Sequence, residues 1–246
     1  MPGRANVAGV AVVRSGSDET KPDLSGYPSR LMRGTSLLTR MCAHVAHTAL
    51  AGSGADPSTI PAVFASGHGE LNIAIEQLAM MVTGDGKISP ARFKNSVHNT
   101  SAGIFSIAHE NKGMSTSLAA GPLTVAYALL EAFGILEDGA TEVLVVVGDE
   151  AVPQPLSQFE QWDSFAAAWV FGRRLDAGSP RVQLSELEAR PGTPAPVPDG
   201  LADHPCRPAY ALLQAIASET SGRVHLGREE DEAWSVMVGS SPTEPA

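Results

Sequence analysis

Two ionisable side chains in the segment SGHGEL could support acid and base catalysis, because His68 and Glu70 supply an imidazole and a carboxylate two positions apart. On a strand the two side chains would share a face, whereas on a helix they would not. Gly67 and Gly69 favour a loop, so a structural turn is preferred over a catalytic pair. A metal site would need a further ligand that no nearby residue supplies, and no metal is expected.

A second candidate for chemistry is His98, which lies beside Asn99 just before an apolar helical segment. Its imidazole could act as a base or as a hydrogen-bond donor. Both side chains could instead satisfy free backbone groups at the start of the helix, and this structural role is preferred. A small serine hydrolase, with Ser115 or Ser117 as nucleophile and His98 as base, is the alternative from another class. Against it, GMSTS lacks the G-x-S-x-G pattern, and both serines lie within a predicted strand.

The segment SLAAGPLTV, residues 117–125, runs from small residues into a long apolar helix. Enzymes often place a nucleophile at such a strand-to-helix turn, where the side chain is held exposed. Here the turn offers Gly121 and Pro122, and covalent catalysis needs a thiol, hydroxyl, amine or similar group that neither residue has. The turn is therefore expected to lack nucleophilic chemistry.

The two cysteines, Cys42 and Cys206, lie far apart and form no C-x-x-C pattern, so neither a disulfide framework nor a cysteine zinc site is indicated. Both are expected to be structural. The segment TGDGK, residues 83–87, predicts a turn and lacks the spacing of a phosphate-binding loop. We therefore expect no nucleotide or other cofactor.

Charge and hydropathy exclude several classes of function. The 246-residue chain has a formal net charge of −10, which argues against nucleic acid as a partner. Residues 1–130 hold 10 Lys and Arg against 8 Asp and Glu, whereas residues 131–246 hold 7 against 19, so an acidic partner should prefer the first half. No 18-residue apolar run is free of polar residues, and the N-terminus lacks the apolar core of a signal peptide. These features predict a cytoplasmic protein without a membrane span.

Short apolar runs alternate with segments of helical periodicity, which predicts an α/β fold with helices layered around a mixed, mostly parallel sheet. On the third helix, Ile104, Ile107 and Ala108 are expected to share one face. Predicted strands cover residues 6–14, 60–66, 114–120 and 142–150, predicted helices cover residues 36–50, 71–82, 100–109 and 122–139, and Ser89-Pro90 begins a further element.

The last third of the chain has a different pattern. Residues 164–174 and 181–190 predict an antiparallel hairpin appended to the sheet, and residues 191–200 form a Pro-rich, exposed spacer. A helix at about 207–218 and a strand at 233–239 follow. We therefore divide the chain into a domain of residues 1–190, a linker of residues 191–205, and a C-terminal helix and strand, 206–246, that pack on the same domain.

Residues 99–150 resemble the core of the β-ketoacyl synthases, the condensing enzymes of fatty acid and polyketide synthesis. The resemblance implies the N-terminal half of a thiolase-like fold. It rests on spacing that is kept over about fifty positions, in which eight features of this sequence fall on the family pattern: Asn99, Ala102-Gly103, Gly113, Ser115, Ser117, Gly139, Val143 and Glu150.

The same resemblance implies that condensing chemistry is absent. The catalytic cysteine of the family falls at about Pro122, so no catalytic residue is assigned. Condensing enzymes also use two histidines in their C-terminal half, one of them in a His-Gly-Thr-Gly-Thr type motif. The late histidines of this chain, His204 and His225, lack those Gly-rich surroundings.

A narrower resemblance covers about residues 5–190 and is strongest over 60–150. The segments VFASGHGE, ISPARFKNSVHNTSAGIFSIA and STSLAAGPLTVAYALLEA are similar to the short ketosynthase-like proteins called chain length factors, of the aryl polyene type. Such proteins pair with a complete β-ketoacyl synthase, which acts on chains carried by acyl carrier protein. The resemblance implies a non-catalytic subunit that forms a heterodimer and shapes its partner's acyl pocket. A homodimeric acyl-binding scaffold is the alternative within the same fold.

The resemblance also implies sites for an acyl pocket, for dimerisation and for carrier docking. The strand around Ser115 would pair across a dimer axis, and bulky side chains of the third helix would end an acyl tunnel. Candidates for the acyl pocket are His98, Asn99, Ile104, Phe105 and Ile107; those for the dimer interface are Met114, Ser115, Thr116, Ser117 and Leu118; and basic residues available to an acidic carrier are Arg30, Arg33, Arg40, Lys87, Arg92 and Lys94.

Overall fold

A computed structural model describes residues 4–14, 21–84, 88–173, 182–232 and 234–240. Its strands are β1 (Ala5–Arg14), β2 (Ala62–Ala65), β3 (Ser115–Leu118), β4 (Glu142–Asp149), β5 (Phe165–Gly172), β6 (Val182–Glu188), β7 (Gly222–His225) and β8 (Ser235–Ser240). Its helices are α1 (Leu37–Ser53), α2 (Leu71–Thr83), α3 (Pro90–Phe93), α4 (Thr100–Ala108), α5 (Thr124–Glu137) and α6 (Arg207–Ala217). Residues 85–87 of the predicted TGDGK turn lie outside the described residues.

The eight strands form one mixed sheet in the order β3-β2-β4-β5-β1-β6-β8-β7, which confirms an α/β fold. The expectation of a mostly parallel sheet is wrong. Only β2 pairs in parallel, with β3 on one side and β4 on the other, while the remaining five pairings within the described residues are antiparallel. The parallel part is the part that β-α-β connections build.

The predicted hairpin of residues 164–174 and 181–190 is also wrong. Both segments are strands, but β1 lies between β5 and β6 and pairs antiparallel with each. An N-terminal strand thus separates two strands that are neighbours in sequence. Beyond β6, β8 and the short β7 extend the same sheet.

Helices cover both faces of the sheet. Successive side chains along the central strands point to opposite faces, so each strand contributes to two hydrophobic cores. On β5, Trp169 and Phe171 face one core and Ala168 and Val170 face the other. Helices α5 and α6 pack on the first face, while α1 and α4 pack on the second. The sheet is therefore the middle layer of three.

Two helix ends illustrate how local sequence fixes these layers. Ser36 caps α1, since its hydroxyl accepts the Thr39 N–H at 2.9 Å, and Gly54 is the C-cap residue of α1. At α4 the expected cap is incomplete, because Asn99 occupies the N-cap position without a side-chain hydrogen bond to the helix.

Candidate functional site

The turn between β3 and α5 is the place where a condensing enzyme would carry its nucleophile. Gly121 takes a positive φ of 54°, a conformation that glycine adopts without strain, and a 3-10 turn over Gly121–Leu123 carries Pro122 into α5. The buried hydroxyl of Thr124 donates to the Gly121 carbonyl at 2.7 Å and accepts the Ala120 N–H at 3.1 Å. The Thr124 hydroxyl thus closes the turn and is not free to react.

Strand β3 lies at the edge of the sheet and pairs only with β2 within the described residues. The carbonyls of Met114 and Leu118 accept N–H groups from β2. Since the N–H and C=O of one strand residue point the same way, those of Ser115 and Ser117 point toward the open edge. The strand therefore presents unpaired backbone groups that another strand can use.

The acyl-pocket candidates do not line one cavity. Phe105 is buried against Phe64, with ring centroids 5.6 Å apart, whereas Ile104 belongs to a separate cluster. Ile107 is 63% exposed, so it does not share the buried surroundings of Ile104, because α4 buries its other side. The three side chains point into different surroundings.

A narrow pocket does open between α1, β2 and the start of α4. Among the predicted residues only His98 lines it, with its Nε2 3.0 Å from the Ser66 carbonyl. Leu38, Cys42 and Ser101 also line this pocket, and no pattern in the sequence predicted them there. Asn99 lies exposed beside it.

The acid and base pair of His68 and Glu70, which was the less favoured interpretation of this segment, does not form, because the two side chains contact different partners. Glu70 is buried and accepts the Thr39 hydroxyl at 2.6 Å, and burial raises its pKa to about 7. His68 lies with its Nδ1 3.7 Å from a carboxylate oxygen of Asp149, which raises the imidazole pKa. Glu70 therefore contacts Thr39, and His68 contacts Asp149.

Asp149 is the centre of a buried polar cluster at the carboxyl ends of β2 and β4. Its carboxylate accepts the Ser66 hydroxyl at 2.7 Å and the backbone N–H groups of Gly67 and His68 at 2.8 Å each. Burial alone would raise the pKa of Asp149, but these hydrogen bonds and the His68 imidazole outweigh it and lower the pKa. Asp149 is thus an ionised structural acceptor. A polar residue at the end of an apolar strand was the sequence signal for it.

The C-terminal segment joins this cluster through His204 and Cys206. The Nδ1 of His204 accepts the Cys206 N–H at 2.9 Å, which leaves Nε2 to donate to the Asp149 carbonyl at 3.2 Å. Burial lowers the pKa of His204 to about 4. The Cys206 thiol contacts the Asp149 carboxylate at 3.4 Å, and burial raises its pKa, as it does for Cys42. Both thiols are held protonated and enclosed.

The described contacts give no support to the hydrolase alternative. The Ser117 hydroxyl is buried without a hydrogen-bond partner, and His98 is engaged with Ser66. Neither serine of β3 is therefore joined to His98 by a hydrogen bond. In the part of the chain that the structure describes, no group of three His, Cys, Asp or Glu side chains could hold a metal ion.

Five of the six basic candidates for carrier docking are exposed: Arg30, Arg33, Arg40, Arg92 and Lys94. Lys87 lies outside the described residues. The Asn95 side chain donates to the Gly34 carbonyl at 3.0 Å and so ties the two basic segments together. None of the described helices combines the length and apolar character that crossing a membrane requires.

Several solved structures are similar to this fold. A ketosynthase (ApeO) in complex with its chain length factor (ApeC) from Xenorhabdus doucetiae matches with a TM-score of 0.69 and 18% identity, over 96% of this chain and 98% of that chain. The ishigamide ketosynthase/chain length factor matches with a TM-score of 0.64 and 17% identity, over 87% and 74%. A type II polyketide synthase complex of an acyl-carrier protein with its ketosynthase, AntDE:AntF, matches with a TM-score of 0.53 and 12% identity, over 70% and 58%.

These likenesses confirm the thiolase-like fold that the resemblance implied. No curated protein sequence matches the chain. The family model described as "Beta-ketoacyl synthase, N-terminal domain" matches residues 11–235, which is most of the chain. The protein therefore belongs to the β-ketoacyl synthase N-terminal domain family.

Proposed function

We propose that this chain is a non-catalytic, chain length factor type subunit that forms a heterodimer with a complete β-ketoacyl synthase and shapes its acyl pocket. The observation that carries the proposal is the 3-10 turn before α5, which contains Pro122 at about the position where the resemblance implies a nucleophile. Proline has no group that can take an acyl chain, and both cysteines are buried and protonated. Acyl carrier protein is then a substrate carrier for the partner.

The open edge of β3 supports a partner of the same fold. Backbone groups at an unprotected edge favour pairing with another strand, and the small side chains of Ser115, Thr116 and Ser117 allow a second chain to approach closely. Two of the similar solved structures are described as a ketosynthase with its chain length factor, which is the assembly that we propose for this chain.

Co-expression tests the heterodimer. The tagged chain is expressed with the complete ketosynthases encoded in its own genome, and we expect one of them to co-purify at a 1:1 ratio. If the chain stays alone at micromolar concentration with each of them, the heterodimer is refuted. A stable homodimer in their place would favour the acyl-binding scaffold.

A proline substitution tests the role of the β3 edge. Ser115→Pro removes an N–H that points to the open edge and leaves the pairing with β2 intact. We expect it to weaken the complex about tenfold or more, because proline also blocks close approach of the facing strand. Ser115→Ala keeps the N–H and is the matched control, with an affinity close to that of the wild type.

Acylation tests the absence of chemistry. The isolated chain is incubated with an acyl-loaded carrier protein and analysed by intact mass spectrometry, with the complete ketosynthase as positive control. We expect no mass increase. Acylation of Ser115, Ser117 or Cys42 would refute a non-catalytic subunit.

Phe105→Leu tests whether the chain measures product length. Leucine is preferred to alanine because Phe105 is fully buried, and alanine would cost about 3–5 kcal/mol of stability. If Phe105 ends the tunnel, the product profile of the complex should shift to longer chains. Leu130→Ala, at an exposed position of α5 on the other face of the sheet, is the control. An unchanged profile removes Phe105 from the acyl pocket.

A further inference from the structure

The second half of α2 carries apolar side chains on every side, and most of them are exposed to solvent. Val82 is 84% exposed, Leu78 55% and Met81 51%, and Met80 is exposed as well. Side chains at successive helix positions point about 100° apart, so these residues leave no polar face. A helix that is apolar all round is normally buried. We name Leu78–Val82 the α2 arm.

Exposed apolar side chains continue along the chain from the α2 arm to β3. Of the fifteen large hydrophobic side chains exposed in the described residues, nine lie between Leu78 and Met114. An ion pair of Arg92 with Glu76 holds α3 to α2, and α4 packs on both β2 and β3. After the α2 arm, the exposed members are Ile88, Phe93, Val97, Ile107 and Met114.

The composition of α2 favours a protein groove over a lipid surface. Helices that lie on membranes carry Lys and Arg on a polar face, whereas α2 has neither, and Glu76 is its single charged residue. A flat partner would cover only one side of the α2 arm. A groove that surrounds it would bury Leu78, Met81 and Val82 together, as in helix-in-groove recognition.

The edge of β3 also needs such a second contact. Its four residues, three of them Ser or Thr, offer backbone hydrogen bonds but little apolar area. Permanent hetero-complexes bury large and predominantly apolar interfaces. The strand can fix the alignment of two subunits, and the affinity must come from elsewhere.

We infer that the α2 arm inserts into an apolar groove of the partner ketosynthase and supplies much of the affinity of the complex. The inference rests on the proposed heterodimer and names a second surface for it. Flexible methionine side chains suit this role, because they adapt to the shape of the groove.

The test compares dissociation constants of the heterodimer by isothermal titration calorimetry. Met81→Asp/Val82→Asp places two charges in the groove and should weaken binding about 100-fold or more, while Val82→Ala should weaken it several-fold. Leu130→Asp, at a 41% exposed position of α5 on the other face of the sheet, is the control and should change affinity less than twofold. Far-UV circular dichroism and thermal unfolding verify that each variant is folded.

The outcomes separate this inference from the proposed function. If Met81→Asp/Val82→Asp binds as the wild type does while Ser115→Pro binds weakly, the α2 arm is refuted and the heterodimer stands. If the wild-type chain binds no ketosynthase, the heterodimer and the α2 arm fall together. If the isolated wild type is a dimer that Met81→Asp/Val82→Asp dissociates, the occupant is a second copy and the inference is overturned.

Discussion

Two buried groups should give the protein opposite pH dependences that cancel in the wild type. His204 has its pKa lowered to about 4 by burial, and Glu70 has its pKa raised to about 7 by burial. Their ordinary values are 6.5 and 4.5. Because one pKa unit corresponds to about 1.4 kcal/mol, each group changes the free energy of unfolding by about 3 kcal/mol across its own pH window.

The signs follow from the protonation state that the fold favours. His204 is neutral in the folded protein, so its contribution is complete above pH 6.5 and is lost as the pH falls from 6.5 toward 4. Glu70 is protonated in the folded protein, so its contribution is complete below pH 4.5 and is lost as the pH rises from 4.5 toward 7. Between pH 4.5 and 6.5 the two slopes oppose each other.

Two substitutions should expose the slopes separately. Glu70→Gln keeps an acceptor for the Thr39 hydroxyl but does not titrate, so its free energy of unfolding should fall by about 2–3 kcal/mol from pH 6.5 to 4.5. His204→Gln keeps one donor and one acceptor, and its free energy of unfolding should rise by a similar amount over the same range. The loss of ring packing at His204 lowers stability equally at every pH, so only slopes are compared.

The assay is urea unfolding followed by far-UV circular dichroism at half-unit pH steps. Other shifted groups, such as His68 and Glu150, add slopes that all the variants share. The double variant, Glu70→Gln/His204→Gln, should return to the shallow profile of the wild type. A Glu70→Gln profile parallel to that of the wild type would refute the reasoning, because Glu70 would then not be buried in its protonated form.

Three further predictions concern stability and thiol reactivity. Gly113→Ala should lower the free energy of unfolding by about 2–3 kcal/mol, because the added Cβ would lie 2.4 Å from a backbone carbonyl oxygen before β2. Gly103→Ala is the control, because its Cβ would meet no atom within 4 Å. It should stabilise α4 by about 0.5–1 kcal/mol. Ser66→Ala should cost about 2–3 kcal/mol in urea unfolding, because it deprives a buried carboxylate of a donor; an unchanged midpoint would contradict this role. Cys42 and Cys206 should react with Ellman's reagent at pH 8 only after unfolding, and labelling of the folded protein would show that the thiols are accessible.

Local elements could be predicted from the sequence because each carries its own periodic signal. The strands around β2 and β4 and the helices α1, α4 and α5 occur where apolar spacing placed them. The short β7 was missed, since GRVH has neither length nor alternation. The hairpin was wrong because β1 enters between β5 and β6, a pairing of residues more than 150 positions apart. A strand that is buried on both faces has a continuous apolar sequence whether its neighbours run parallel or antiparallel to it. The apolar run of β5 therefore could not reveal its antiparallel pairing.

The candidate site was predictable at its turn but not in its contacts. The resemblance implied a nucleophile position at about Pro122; the structure has a 3-10 turn there, and the position itself stays a prediction. The sequence could not show that Asp149 bonds to Ser66, 83 positions away, or that His204 reaches the end of β4. Such contacts depend on sheet order, which single-chain periodicity does not encode.

The carboxyl ends of parallel strands are where α/β enzymes usually place reactive groups, and here those groups are used to hold the chain together. The Asp149 carboxylate accepts hydrogen bonds from the loop after β2, and its backbone carbonyl accepts one from His204. Both ring nitrogens of His204 are hydrogen bonded, and Cys206 is fully buried next to them. A reactive site needs at least one polar group that is free to contact the substrate. In this cluster the polar groups are hydrogen bonded within the protein, among others to the C-terminal segment. The same contacts anchor α6 on the sheet face that α5 covers.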